Sequence, residues 1–161
     1  MDIQALAEKI QKLEDIEAIK QLKYTYSLGC DRAINAGDAE LLLTVFTPDI
    51  VWDGGEFGTV EGLDGMKAMA DGMPARITFT YHFFTNPIIE INGDTATGRW
   101  NLWAIYTWAD GNDMVLAGIE EDVYKKVNGK WLIDKLVVKT AFLAPYTEGW
   151  SKIVTGAAVK G

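Results

Sequence analysis

Three short turn sequences divide the second half of the chain into four segments rich in β-branched and aromatic residues. The turns are Asn92-Gly93-Asp94, Asp110-Gly111-Asn112 and Asn128-Gly129. Their Asn, Asp and Gly residues accept the positive φ angles of tight hairpins. The segments between them cover about residues 77–91, 95–109, 114–127 and 130–142. Because consecutive strands joined by hairpins run antiparallel, this half of the chain predicts a four-stranded meander.

The first half of the chain predicts helices. Over about residues 2–36, apolar side chains recur at helical spacing, which indicates two helices or one broken helix. Ile10, Leu13, Ile16 and Ile19 carry that pattern. The remaining predicted elements, in chain order, are a third helix from Asp38 to Phe46, a short strand over 50–53, a glycine-rich loop over 54–58 and a fourth helix over 63–73. The spacing of Met66, Met69 and Met73 indicates this fourth helix.

Together these elements predict the α+β class, with N-terminal helices packed on one face of a curved antiparallel sheet. A length of 161 residues is that of one compact domain, and no linker, repeat or low-complexity stretch interrupts it. We therefore predict a single domain over residues 1–161. The tail from residue 144, with Pro145, Tyr146 and Trp150, is predicted to be irregular, free either to close over a cavity or to contact a neighbouring subunit.

Charge and composition disfavour several classes of partner. The chain has 15 Lys and Arg against 23 Asp and Glu, a net charge of −8, which argues against nucleic acid and membrane surfaces as partners. One cysteine and one histidine cannot supply an ordinary zinc site, so no metal is expected. The N-terminal sequence lacks the features of a secretory signal, and no long apolar run occurs. We therefore expect a cytoplasmic protein.

Strand alternation gathers aromatic side chains on faces that carry few polar atoms. Tyr106 shares one face with Trp100 and Trp108, and His82 shares another with Phe84 and Asn86. This composition is typical of a small-molecule pocket, although an aromatic core has it too. The predicted substrate-binding residues are Tyr24, Trp52, Phe84, Asn86, Trp100 and Tyr106.

His82 is the single imidazole of the chain, and Asp31 is its candidate partner. Asp31 ends an otherwise apolar helical run, where a buried carboxylate needs a partner; the adjacent Arg32 is the alternative. His82 also has an alternative interpretation, as a hydrogen-bonded core residue. An aspartate that accepts a hydrogen bond from one imidazole nitrogen stabilises the imidazolium, so that the other nitrogen acts as a general base near neutral pH.

Two further signals are weaker. Alternation places Glu121 on the opposite face from Glu120 and Asp122, so we expect no metal cluster there. A solvated face is favoured for this acidic run, with Glu120 pointing into a cavity as the alternative. Cys30 is interpreted as a small buried hydrophobic residue.

Several segments together carry a resemblance to a known family: residues 10–23, Tyr26, Asp31, the Phe46-Thr47-Pro48-Asp49 step, His82, residues 95–100 and residues 128–131. In these the chain resembles the SnoaL-like branch of the nuclear transport factor two-like superfamily, over roughly residues 10–142. The resemblance implies a cone-shaped α+β barrel with an active site inside the cone that needs no cofactor. It also implies a homo-oligomer, often a trimer.

The family's functional residues are carried over one position at a time. Those of the bile acid 7α-dehydratases within it fall on Asp31, His82 and Tyr26, whereas two further positions hold Ala104 and Thr140 here, so the resemblance does not imply bile acid specificity. Residues five apart on a regular helix differ by about 140°, which places Tyr26 off the face of Asp31 unless Gly29 bends the helix. Tyr24 is therefore the alternative tyrosine.

The hypothesis that follows is a cofactor-independent lyase acting on a hydrophobic, aromatic or polycyclic small molecule. His82 would remove a proton, Asp31 would hold the imidazole, and a tyrosine would assist the leaving group. Dehydration is favoured by the resemblance, and loss of halide, or of formaldehyde from a diarylpropane-type lignin fragment, would use the same groups. The alternatives are a double-bond isomerase or polyketide cyclase, and a non-catalytic small-molecule-binding module.

Overall fold

A computed structural model describes residues 2–149 and contains, within them, three α-helices and six β-strands. The helices are α1 (Ile3–Asn35), α2 (Glu40–Leu43) and α3 (Gly62–Gly72). The strands are β1 (Phe46–Asp53), β2 (Thr59–Glu61), β3 (Ile77–Asn92), β4 (Thr95–Trp108), β5 (Asp113–Val127) and β6 (Lys130–Pro145).

The strands form one curved, unclosed sheet in the order β2-β1-β6-β5-β4-β3. The predicted hairpins join β3 to β4, β4 to β5 and β5 to β6, and all three pairs are antiparallel. β1 pairs parallel with β6, outside the predicted meander, so the sheet as a whole is mostly antiparallel. The α+β class, with N-terminal helices on a curved sheet, is confirmed.

Helix α1 is one unbroken helix of 33 residues, so the predicted break is wrong. Asp2 caps its start by accepting a hydrogen bond from the Ala5 backbone N–H at 2.7 Å. Gly29 has a packing role instead: a Cβ atom there would lie 2.8 Å from the Cα of Leu42. The missing side chain lets α2 pack directly against α1.

Other boundaries also differ from prediction. The third helix ends at Leu43, because the chain extends into β1 from Phe46, and Pro48 lies inside that strand. The three-residue strand β2 was not predicted, since it is too short to show alternation. β6 continues through Pro145, so part of the predicted irregular tail is strand, and Trp150 lies outside the described residues.

The two halves of α1 have different surroundings. Ile19, Tyr26 and Ala33 of its second half are buried in the core, where α1 packs against β3 and β6. The apolar stripe of its first half stays exposed. That stripe consists of Ile3, Leu6, Ile10 and Leu13.

A buried carboxylate ties the middle of α1 to the β5–β6 hairpin. Oδ1 of Asp15 accepts hydrogen bonds from Lys126 Nζ at 2.7 Å and from Trp131 Nε1 at 2.9 Å. Burial alone would raise the pKa of Asp15, but these bonds outweigh it and hold the pKa below the ordinary value of 3.8. The charged form of Asp15 therefore stabilises the folded state.

Replacing Asp15 with Asn should lower the free energy of unfolding by about 1–3 kcal/mol, because Lys126 and Trp131 lose a charged acceptor. Chemical denaturation at neutral pH measures the difference, with Glu14→Gln at an exposed neighbouring position as the control. A carboxyl with a lowered pKa stabilises above its unfolded value and loses that effect in acid. The difference should therefore shrink below pH 3.8, and a difference that persists unchanged in acid would contradict this role.

Candidate active site

A cavity lies between α1, α3 and the inner face of the sheet. Together with the open space at its mouth it encloses about 860 Å³ free of protein atoms. Its wall is mainly apolar, and the three methionines whose spacing predicted the fourth helix, Met66, Met69 and Met73, all contribute to it. Because methionine side chains are flexible, this part of the wall can adapt to bulky apolar molecules.

Polar side chains reach the cavity from three directions. His82 and Tyr106 come from the paired strands β3 and β4, Tyr26 and Cys30 from α1, and Glu120 from β5. A few polar groups in an apolar cavity are the usual means of orienting a small ligand.

The structure brings Asp31 and His82 together. Nδ1 of His82 lies 2.8 Å from Oδ1 of Asp31. The alternative partner of Asp31, Arg32, forms an ion pair with Asp38 instead. Since an ionised carboxylate only accepts hydrogen bonds, Nδ1 carries the hydrogen and Nε2 keeps a lone pair. Nε2 lies 3.3 Å from the hydroxyl oxygen of the cavity-lining Tyr106, so the lone pair is on the cavity side.

Side chains of α1 hold His82 in place through the backbone of β3, an edge strand of the sheet. Ser27 Oγ donates to the His82 carbonyl at 2.9 Å, and Asp31 Oδ1 accepts from the His82 N–H at 3.1 Å. Asn35 accepts from the Thr80 N–H and donates to the Thr80 carbonyl. These α1 residues are four apart, one helical turn each, so they follow the strand edge in register.

The two candidate tyrosines lie in different places. Tyr26 lines the cavity, but its hydroxyl donates to Oε1 of Glu120 at 3.1 Å. Tyr24 is half exposed and lies in an outer groove beside Leu28. Neither hydroxyl bonds to the imidazole in the structure; the tyrosine that does is Tyr106.

Trp52 and Phe84 line the cavity, as does Tyr106. The ring of Phe84 lies between His82 and Tyr26, with centroid distances of 6.3 Å and 5.5 Å. The indole of Trp52 lies over Gly54, where a Cβ atom would come within 2.1 Å of the ring. Glycine at this position therefore allows Trp52 to take its place in the wall.

The structure places Asn86 and Trp100 outside the cavity lining. Asn86 is exposed at a β-bulge between Thr85 and Ile88. Its φ of 53° interrupts the alternation of side chains along β3, which had predicted that Asn86 lies on the same face as His82. Trp100 is fully buried, and its indole N–H donates to the Tyr124 hydroxyl at 2.9 Å. It therefore supports the core behind the cavity.

A buried ion cluster lies behind one side of the cavity and reaches it through Glu120. Nζ of Lys23 lies 3.0 Å from Oε2 of Glu120 and 2.8 Å from Oδ2 of Asp122, and all three side chains are almost completely buried. The solvated face predicted for Glu120 and Asp122 is therefore wrong, and the alternative, Glu120 pointing into the cavity, is confirmed. Glu121 lies on the opposite face, as predicted, half exposed and paired with Lys139.

Lys23 was missed, although its position carried a signal. It lies four residues after Ile19 and three before Tyr26, on the buried stripe of α1. Burial alone would lower the pKa of Lys23, but the charges of Asp122 and Glu120 raise it. Lys23 is therefore held as a cation inside the protein.

Burial sets the protonation of the other polar groups around the cavity. It raises the pKa of Glu120 to about 7, although the nearby Lys23 charge acts in the opposite direction. Burial also raises the pKa of Tyr26 and of Tyr106, so both hydroxyls remain protonated donors. The pKa of the Cys30 thiol is raised as well, mainly by burial, which argues against a role as nucleophile.

Residues 2–149 contain no group of three or more His, Cys, Asp and Glu side chains arranged to hold a metal ion. No helix in the same part of the chain is both long enough and apolar enough to span a membrane.

Residues 11–137 match the family described as SnoaL-like domain. The chain belongs to the SnoaL-like domain family. The predicted resemblance to this branch of the nuclear transport factor two-like superfamily is therefore confirmed.

Solved structures with this SnoaL-like fold include two with a TM-score of 0.78. One is a type 2 hexachlorocyclohexane dehydrochlorinase (LinA), 19% identical, with 95% of this chain and 99% of that chain covered. The other, from Novosphingobium aromaticivorans, is provisionally described as a scytalone dehydratase; it is 20% identical, with 95% and 98% covered. A type 3 hexachlorocyclohexane dehydrochlorinase from Novosphingobium barchaimii has a TM-score of 0.76, 19% identity and coverages of 85% and 93%. At these identities the likeness shows the fold.

Because His82 is the single histidine, ¹⁵N-histidine labelling reports its tautomer without assignment. We expect wild-type protein to show a protonated Nδ1 and an unprotonated Nε2 in the neutral ring. Asp31→Asn should weaken that preference, since an amide can donate as well as accept a hydrogen bond. Asp49→Asn, at an exposed position, is the matched control. A neutral ring protonated at Nε2 in wild-type protein would contradict the assignment.

Proposed function

We propose that this SnoaL-like protein is a cofactor-independent lyase that catalyses an elimination, most simply loss of water, from a hydrophobic aromatic or polycyclic molecule. The observation that carries the proposal is the contact between Asp31 and His82, which leaves the Nε2 lone pair at the wall of an apolar cavity. An imidazole held in this way is a general base.

In the proposed reaction, the substrate presents an acidic C–H next to a carbonyl group. Nε2 of His82 takes this proton, and Asp31 stabilises the imidazolium that forms. The Tyr106 hydroxyl, released from Nε2, donates to the carbonyl oxygen as negative charge develops there. The electron pair of the broken C–H bond forms the new double bond and expels the leaving group from the next carbon. A leaving hydroxyl receives a proton from Tyr26 and departs as water.

The surroundings of the site favour uncharged substrates. The cavity wall is mainly apolar, so a charged substrate would lose hydration that few polar groups could replace. The low-polarity surroundings also strengthen the interaction between the Asp31 carboxylate and the imidazolium.

The names of the structural neighbours agree with an elimination. A dehydrochlorinase removes hydrogen and chloride, and a dehydratase removes water. Both reactions remove a proton from carbon, and His82 offers a base for that step at the cavity wall.

A screen of aromatic β-hydroxy carbonyl compounds, followed by mass spectrometry, tests the proposal. With a compound that loses water, His82→Ala and Asp31→Asn should each lower the rate by roughly 10²–10⁴-fold, because the base is lost or misoriented. The exposed Asp49→Asn should retain wild-type turnover. A product of unchanged mass would instead identify an isomerase, and unchanged turnover in both site variants would refute the role of the dyad.

We also propose that the chain forms a homo-oligomer, with a trimer favoured by the family resemblance. The outer face of β3 and β4 exposes the large side chains of Phe79, Tyr81, Phe83 and Trp103. Contiguous apolar surface of this kind is typical of interfaces. A cyclic trimer joins two different surfaces of each copy, and the exposed stripe on the first half of α1 provides a second one.

The predicted cytoplasmic location stays a prediction.

Introducing a charge into the aromatic face should prevent assembly. We expect Phe83→Lys to elute and sediment as a monomer while wild-type protein has the mass of a trimer, because the lysine charge would be buried at the interface. Glu90→Lys, an exposed site on the same strand, is the control and should remain assembled. Wild-type protein that is monomeric at micromolar concentration would contradict the proposal.

A further inference from the structure

The carboxylate of Glu120 uses its two oxygens for different partners. Oε1 accepts a hydrogen bond from the Tyr26 hydroxyl at 3.1 Å, and Oε2 contacts Lys23 Nζ at 3.0 Å. Glu120 also lines the cavity, although it is almost completely buried. It therefore connects a cavity-facing hydroxyl to the ion cluster behind it.

The ion cluster has an imbalance of charge. Lys23 supplies one positive charge to two carboxylates, Glu120 and Asp122. Within the described residues, Oδ1 of Asp122 is buried without a hydrogen-bond partner. With both carboxylates ionised, the cluster carries one net negative charge in a buried site, which is unfavourable. One added proton makes the cluster neutral.

The position of that proton decides what Tyr26 can do. A tyrosine hydroxyl has a single hydrogen to donate. While Glu120 is ionised, that hydrogen is directed to Oε1 and is not available to a ligand. When Glu120 is protonated, its own O–H can donate to the Tyr26 oxygen, and the Tyr26 hydrogen is free to point into the cavity.

We propose that Glu120 supplies the proton that Tyr26 delivers to the leaving oxygen, so that Tyr26 is the acid in contact with the substrate and Glu120 the group that recharges it. This inference rests on the proposed lyase function. It assigns the leaving-group end of the cavity to an acid and the His82 end to the base.

The proposed step balances in atoms and charge. As the carbon–oxygen bond breaks, the leaving oxygen takes the Tyr26 proton and departs as water. The Tyr26 oxygen takes the proton of Glu120, which becomes a carboxylate paired with Lys23. After product release, His82 returns its proton to solvent and Glu120 takes one up, which restores the resting state.

The acid function should depend on pH in a defined direction. Burial raises the pKa of Glu120 to about 7, so loss of water should decline as the pH rises through that value. The titratable or charged groups that influence Glu120 come from α1, β4 and β5. They are Lys23, Tyr26 and Cys30 on α1, Tyr106 on β4, and Asp122 and Tyr124 on β5.

A matched pair of substrates separates this role from a structural one. Hydroxide needs a proton to leave, whereas chloride leaves as an anion. An aryl β-hydroxy ketone and its β-chloro analogue therefore differ in their need for an acid while sharing the same acidic C–H. We expect Glu120→Gln to lower the rate of water loss by about 10²-fold or more and to leave chloride loss near the wild-type rate. The decline of water loss near pH 7 should disappear, because the amide carries no transferable proton.

The controls distinguish the possible failures. Glu121→Gln, at a half-exposed position on the other face of β5, should match wild type on both compounds, while His82→Ala should slow both reactions. Equal loss of both rates in Glu120→Gln, or a pH profile unchanged from wild type, would overturn the role of Glu120 alone. Wild-type protein that releases neither water nor chloride would overturn the lyase proposal and this inference with it.

Discussion

Helix α1 completes the hydrogen bonding of the edge strand β3, and the geometry of the site depends on this contact. Ser27, Asp31 and Asn35 bond to backbone groups of Thr80 and His82 that no neighbouring strand reaches. Covering a strand edge in this way also protects it from pairing with other chains. The carboxylate of Asp31 takes part twice, at the strand backbone and at the imidazole. The bonds that dock the helix therefore also orient the imidazole of His82.

Helix α1 carries three buried charged side chains at intervals of eight residues. Asp15, Lys23 and Asp31 each meet a partner on the sheet. In proteins generally, apolar residues of similar volume often stabilise a buried contact as well as an ion pair does. Asp15 lies away from the cavity, and its contact is structural. The other two contacts hold groups that reach the cavity, Glu120 and His82. At these two points the proposed elimination gives the buried charge a chemical role.

The parts of the structure that sequence could predict are those set by local patterns. The hairpin turns and the methionine spacing of α3 identified their elements, and Asp31 and His82 were paired because the chain offers one imidazole. Asn86 was misplaced because a bulge, with its positive φ, is not visible in an alternating pattern. Lys23 was missed because its partner Glu120 is 97 residues away in sequence, and a lysine between apolar positions resembles a surface residue.

At each end of the cavity, the group that would change charge during the proposed elimination is paired with a residue of opposite charge. In the proposed elimination, His82 becomes a cation beside the Asp31 carboxylate, and Glu120 becomes an anion beside the Lys23 ammonium. Each charge that forms has its opposite already in place within the protein, on the side away from the substrate. The ring of Phe84 lies between the two ends, so a substrate that reaches both must extend along an aromatic surface. An uncharged molecule suits the apolar wall, and a flat one can lie along the Phe84 ring. A substrate with both properties could therefore contact the proposed base at one end of the cavity and the proposed acid at the other.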